Sequence, residues 1–126
     1  MALEGKQVIE TFIAGADLSA AQFKIVKGDT TANRQVVLQA TSGALSVGVL
    51  LNKPTSGQAA SVMVGGGYGK ALAGAAVATL YTELTPDTTG RLIGASSGHH
   101  VIGLAVTTAT AAGEFIEFVW KNYVKP

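Results

Sequence analysis

Residues 97–119 read SGHHVIGLAVTTATAAGEFIEFV, and this stretch decides the fold. Val101, Ile102, Leu104 and Val106 form one apolar arm; Phe115, Ile116, Phe118 and Val119 form a second. Between the arms, residues 107–113 are small, with Gly113 just before the returning arm. Runs of β-branched and aromatic residues bounded by glycine and small polar residues are the strand signal, so the stretch predicts a β-hairpin.

The same plan occurs earlier in the chain. Residues 38–64 read LQATSGALSVGVLLNKPTSGQAASVMV, and residues 93–120 read IGASSGHHVIGLAVTTATAAGEFIEFVW. Gly43 matches Gly98, Gly48 matches Gly103, and Gly57 matches Gly113 with one residue added in the second turn. Upstream, Gly28-Asp29-Thr30-Thr31 with Arg34 echoes Pro86-Asp87-Thr88-Thr89 with Arg91. Several features repeated in one order predict an internal duplication, two β-units spanning about 22–64 and 77–120.

The chain has 126 residues, a single-domain length, and 48% of them are hydrophobic. Only 13% are charged, about half the usual share, which suggests a surface partly covered in use. The formal net charge is +1 and Arg34 and Arg91 are the only arginines, so no basic patch argues for nucleic acid. With no cysteine there are no disulfides, thiolate metal sites or cysteine nucleophiles, as in a chain that folds in a reducing compartment. No run of about 18 apolar residues argues for a membrane-spanning helix, and the opening residues lack a signal-peptide pattern. Together these features predict a soluble β-protein made inside a cell.

Taken in order, residues 1–20 read as an N-terminal arm or a first strand, with Val8, Ile9, Phe12 and Ile13 as its apolar positions. Residues 21–126 read as a single β domain. Strands are expected at 23–26, 35–40, 45–51, 60–64, 77–84 and 91–95, ahead of the opening hairpin, with a polar tail from Lys121. Gly65, Gly66, Gly67 and Gly69 mark a bend. Residues 70–78 are rich in alanine but carry Gly74, so they read as strand and tight turn, with at most a short helical turn. Regular strands without a long amphipathic helix predict an all-β fold, a small barrel or sandwich built from the two duplicated units.

Chemistry is sparse. The glycines at 65–69 fail the phosphate-loop pattern, because Val64 stands where glycine is required and Ala71 where serine or threonine is required. His99 and His100 are adjacent, so in an extended chain they point to opposite faces and do not share a metal; they read as a solvated turn. No nucleophile, base and orienting group stand in a telling pattern. The chain is therefore expected not to be an enzyme and to need no catalytic, metal or cofactor residues. Aromatic residues carry much of the energy at protein contacts, so Phe12, Tyr68, Trp120 and Tyr123 are the candidate interface residues.

The second half also resembles a known family. Ala73-Gly74-Ala75-Ala76-Val77, Asp87-Thr88-Thr89-Gly90-Arg91, Val101-Ile102-Gly103-Leu104-Ala105 and the ATAAGE of residues 109–114 follow one another as in tailed-bacteriophage capsid decoration (cement) proteins of the DUF2190 type. The likeness covers somewhat less than half of the chain and rests on order and spacing, since each motif is made of small residues. It implies a structural virion protein, made in the host cytoplasm, that sits on the capsid exterior and cements neighbouring subunits of the major capsid protein. It also implies a homo-oligomer, with a trimer favoured over a dimer. The alternative reading is a carbohydrate- or receptor-binding β-module of a phage head fibre, against which the 6% aromatic share argues.

Overall fold

The computed structural model describes residues 7–126; residues 1–6 of the predicted arm lie outside that range. Ten strands follow one another: β1 Gln7–Ala14, β2 Ile25–Gly28, β3 Gln35–Leu38, β4 Gly48–Leu50, β5 Ala59–Gly66, β6 Tyr68–Leu72, β7 Glu83–Pro86, β8 Leu92–Gly94, β9 His100–Ala105 and β10 Phe115–Val124. No helix occurs among the described residues, and the fold is all-β, with two sheets of five strands.

The two sheets have one plan. In the first, β1 pairs with β3 in parallel, β3 with β2, β2 with β4, β4 with β5 and β5 with β1, which closes a barrel. In the second, β8 pairs with β7, β7 with β9, β9 with β10 and β10 with β6, all antiparallel like the corresponding four pairs of the first. The parallel seam that would close it is reduced to one bridge, Ala73 to Leu92, where the first barrel has Ala14 beside Val36.

The correspondence extends to single hydrogen bonds. The Gly57 amide donates to the Ala14 carbonyl at 2.8 Å and the Gly113 amide to the Ala73 carbonyl at 2.8 Å. Asp29 accepts from the amide and hydroxyl of Thr31 as Asp87 accepts from those of Thr89, the Asx-turn expected of aspartate there. A Cβ on Gly15 would meet the Asp29 carboxylate, and one on Gly74 would meet that of Asp87. Phe23 and Tyr81 share a left-handed backbone, with φ of 65° and 63°. Each unit is five strands built by the same set of turns, closed into a short barrel in the first and curled into a barrel-like sheet with one bridge across its seam in the second.

Each barrel has its own interior. Val26, Val36, Leu50, Ala60 and Val62 fill the first; Leu84, Leu92, Ala105, Ile116 and Phe118 fill the second at matching positions. Phe118 is fully buried, and Gly69 and Gly103 leave the space for its ring, since a Cβ on either would lie 2.4 Å from it. Burying a side chain of that size contributes roughly 2–3 kcal/mol from the hydrophobic effect.

The barrels are joined by a second apolar layer. Ile25, Val49 and Met63 point outward from the first barrel, yet all three are buried against the core of the second. For this reason β2 and β4 are apolar on both faces and show no strict alternation, as strands covered on both sides do.

Several expected boundaries differ from the structure. The strand expected at 77–84 is a single bridge, Val77 to Ala109, followed by a turn in which the Thr82 hydroxyl donates to the Thr79 carbonyl at 2.6 Å; β7 begins at Glu83. The strand expected at 23–26 begins at Ile25, because Phe23 is left-handed. Residues 45 and 46 leave the ladder because the buried Gln39 amide donates to the Leu45 carbonyl at 2.9 Å and the Ser46 hydroxyl at 3.0 Å, while the Val47 amide still donates to the Val26 carbonyl of β2 at 2.8 Å. The expected polar tail is the end of β10, where Tyr123 pairs with Val101 and Val124 with His100 beyond a bulge. Residues 7–14 take the strand alternative of the two readings for the N-terminal segment.

Candidate interaction surfaces

The four aromatic candidates fall in different places. Phe12 is half-buried on β1, under the Arg34 guanidinium at 5.1 Å from its ring centre. Tyr68 opens β6 and is half exposed; its carbonyl accepts from Trp120 Nε1 at 3.1 Å. Trp120 itself is half-buried and packs edge-on against Phe118, with ring centres 4.9 Å apart. Tyr123 donates its hydroxyl to Glu83. Glu83 also pairs with Lys125 at 3.2 Å. The Tyr123 bond, assisted by Lys125, holds the Glu83 carboxyl below its ordinary value of 4.5 against the opposing effect of burial. Tyr68 and Trp120 thus form one contact pair, Tyr123 belongs to a polar cluster, and Phe12 lies on the other barrel.

A groove runs along the joint, lined by Leu45, Val47, Pro86, His100, Trp120 and Lys121. Both histidines are half-buried rather than in a solvated turn, and His100 lines the groove. The His99 ring covers Gly43, and its Nδ1 accepts from the Ser96 amide at 3.0 Å. The His100 amide donates to the Gly43 carbonyl at 2.9 Å, and the Gly43 amide to the Pro86 carbonyl at 3.0 Å. Their place is therefore in joining the barrels. No group of three or more metal-ligating side chains gathers among the described residues.

Further exposed apolar side chains lie on both units. On β1 of the first barrel, Val8, Ile9 and Ile13 are 47%, 49% and 39% exposed. On the second barrel Leu80 and Tyr81 are 51% and 66% exposed. The repeat was a usable signal for Tyr81, since Phe23 stands at the same position, but only the left-handed backbone of both residues makes the match plain.

The architecture defined by these features is a closed five-stranded barrel followed by a five-stranded sheet of the same plan, bridged once along its open seam, with a shared apolar joint. A solved structure has this fold: "The crystal structure of head fiber gp8.5 N base in bacteriophage phi29" is similar with a TM-score of 0.73 and 17% sequence identity, over 92% of this chain and 95% of that one. No protein-family model matches the sequence. No curated protein matches it either. The likeness to decoration proteins therefore rests on the four motifs of the second half.

Proposed function

We propose that this chain is a non-catalytic structural protein of a bacteriophage head, held on the outside of the capsid by the major capsid protein. The observation that carries this reading is the fold shared with the base of a head fibre, across nearly the whole of both chains. The decoration-protein motifs of residues 73–114 point to the same location by a separate route. A rigid β-protein with little charge suits a role that needs contact surfaces and no chemistry. As a homo-oligomer, with a trimer favoured, it engages several capsid subunits at once, so that weak contacts act together.

Two forms of this role differ in outcome. A cement protein bridges neighbouring capsid subunits and stabilises the shell, because it binds only the assembled state. A fibre base holds a projection on the shell and need not stabilise it. The match to a fibre base favours the second form, and the motifs of the second half favour the first. Purified chain added to expanded shells that lack it distinguishes them. Saturable co-sedimentation with a higher temperature of genome release is expected of cement, and co-sedimentation without that rise is expected of a base. Failure to bind shells of the phage that encodes it refutes both.

A further inference from the structure

The joint between the two barrels is a head-to-tail contact, and each chain carries one unused copy of each half. The upper half of the joint is Phe23, Ile25, Val49 and Met63 of the first barrel. Residues at the same positions in the second barrel are Tyr81, Glu83, Leu104 and Val119, with Tyr81 exposed and the other three partly exposed. The lower half is Leu72, Gly90 and Phe115 of the second barrel, where the Leu72 amide donates to the Phe23 carbonyl at 3.0 Å and the Ile25 amide to the Gly90 carbonyl at 2.6 Å. Phe23 and Phe115 meet edge to face at 5.1 Å. The positions matching that lower half in the first barrel are Ile13, Arg34 and Ala59, all of them exposed; Arg34 matches Gly90 and not Arg91 as the sequence repeat suggests, because the Asp29 amide bonds the Gln35 carbonyl where the Asp87 amide bonds that of Arg91.

We propose that a second copy of this chain docks head to tail, its Ile13, Arg34 and Ala59 surface seated on Tyr81, Glu83 and Leu104 of the first copy. This deepens the oligomer in the reading above and rests on it. Three observations select a second copy as the occupant. The contact type is already present once within the chain, so one further use of it continues an existing interface. The exposed apolar side chains of the described residues include both halves, Tyr81 on one end and Ile13 on the other. The charges also match: Ile25 and Gly90 touch in the joint, and their counterparts are Glu83 and Arg34, an acid and a base. The Arg34 side chain is 62% exposed; to meet Glu83, which Tyr123 and Lys125 also hold, it exchanges its 2.6 Å bond to the Thr11 carbonyl and its place over Phe12 for the partner's carboxylate.

The contact does not copy the joint bond for bond. In the first barrel the Ile13 amide already donates to the Arg34 carbonyl at 2.7 Å, so no strand can be inserted there. The two copies meet through side chains over a closed seam, which makes the contact weaker than the internal joint. A head-to-tail contact that closes gives a ring, and one that does not gives a filament. A trimer formed this way is a closed ring in which every barrel has a neighbour on both sides.

The absence of cysteine permits a direct test. Two full-length variants, Tyr81→Cys and Ile13→Cys, are each treated alone and then as a mixture with a short bis-maleimide, which tolerates the separation imposed by the closed seam. Cross-linked dimer is expected in the mixture and not in either variant alone, and Arg34→Glu in the Ile13→Cys chain should abolish it. Cross-linking within a single variant would overturn the proposal, since it means that like surfaces meet. So would no cross-link in the mixture, or a light-scattering mass that stays at one 12.8 kDa chain at every concentration. Shell binding is read separately by co-sedimentation of the unaltered chain. Retained binding with no cross-link overturns this contact alone, whereas a cross-link with no shell binding overturns the capsid reading.

Discussion

In the first barrel the Ile13 amide reaches the Arg34 carbonyl and the ring of strands closes; in the second, the equivalent amide of Leu72 and carbonyl of Gly90 are taken by Phe23 and Ile25 of the first barrel. The same five-strand plan therefore ends in two ways, depending on whether a neighbour occupies the seam. Gly90 permits this: its φ is +78°, and a Cβ there would meet Leu38 and the Ile25 carbonyl. The first barrel has Arg34 at that position, also left-handed at φ 54°, and its guanidinium folds back to the Thr11 carbonyl at 2.6 Å. One seam is sealed by its own side chain, and the other is sealed by the adjacent barrel.

The largest effect should come from the barrel interiors. Phe118→Ala leaves a cavity between Gly69 and Gly103 and is expected to cost about 4 kcal/mol. Val62→Ala, at the same position in the first barrel, should cost about 2 kcal/mol. Because Ile25, Val49 and Met63 of the first barrel belong to the core of the second, both variants should still unfold in urea in a single transition. Two separate transitions, with Val62→Ala moving only one, would show the barrels to be independent and would break the comparison.

The next effect concerns one backbone position in two settings. Phe23 is half-buried in the joint against Phe115, and Tyr81 is 66% exposed with the same φ. Phe23→Ala should cost about 2 kcal/mol of monomer stability, and Tyr81→Ala should stay within about 0.5 kcal/mol. Denaturation of dilute protein checks both. Equal costs would mean that the joint adds nothing to Phe23, and the contrast between filled and open seams would lose its basis.

Sequence reading reached the hairpin at 97–119, the all-β class and the paired units because those rest on local signals: β-branched arms, glycines at fixed intervals and two Asp-Thr-Thr turns. It did not reach the joint. Ile25 and Glu83 occupy matching positions, but in sequence one is simply apolar and the other simply charged; their difference makes sense only once a barrel is seen to cover the first and not the second. Strand 77–84 was misplaced for a related reason. Val77 and Tyr81 look like strand residues, yet a left-handed Tyr81 and the Thr82 to Thr79 bond turn the chain there. Of the interface candidates, the sequence could mark Trp120 and Tyr123 as aromatic but could not show that Trp120 spends its indole N–H on Tyr68 or Tyr123 its hydroxyl on Glu83. Aromatic type is legible in a sequence; the partner that occupies a polar atom is not.

The smallest expected effect separates the barrels by titration. Gln58 and Glu114 hold matching turns: Gln58 Oε1 accepts from the Thr55 amide at 2.8 Å, and Glu114 Oε1 from the Thr110 amide at 2.9 Å. Only the second can lose its charge. The Thr110 hydroxyl first, then its amide, hold the Glu114 carboxyl below its ordinary value of 4.5, against a small opposing effect of burial. A carboxylate whose folded-state value is depressed contributes stability that is present above the unfolded value and lost as pH falls through the folded one. Glu114→Gln should therefore leave stability near neutral pH almost unchanged and make its decline below pH 4.5 shallower. Asp29, held down first by the Gln35 amide and then by Thr31, and Asp87, which burial raises but Thr89 and Arg91 together hold down, keep a residual slope in both proteins. Denaturation midpoints measured across that range in the two proteins check this. An unchanged slope would mean that the second barrel holds this turn as its counterpart does, without help from the charge.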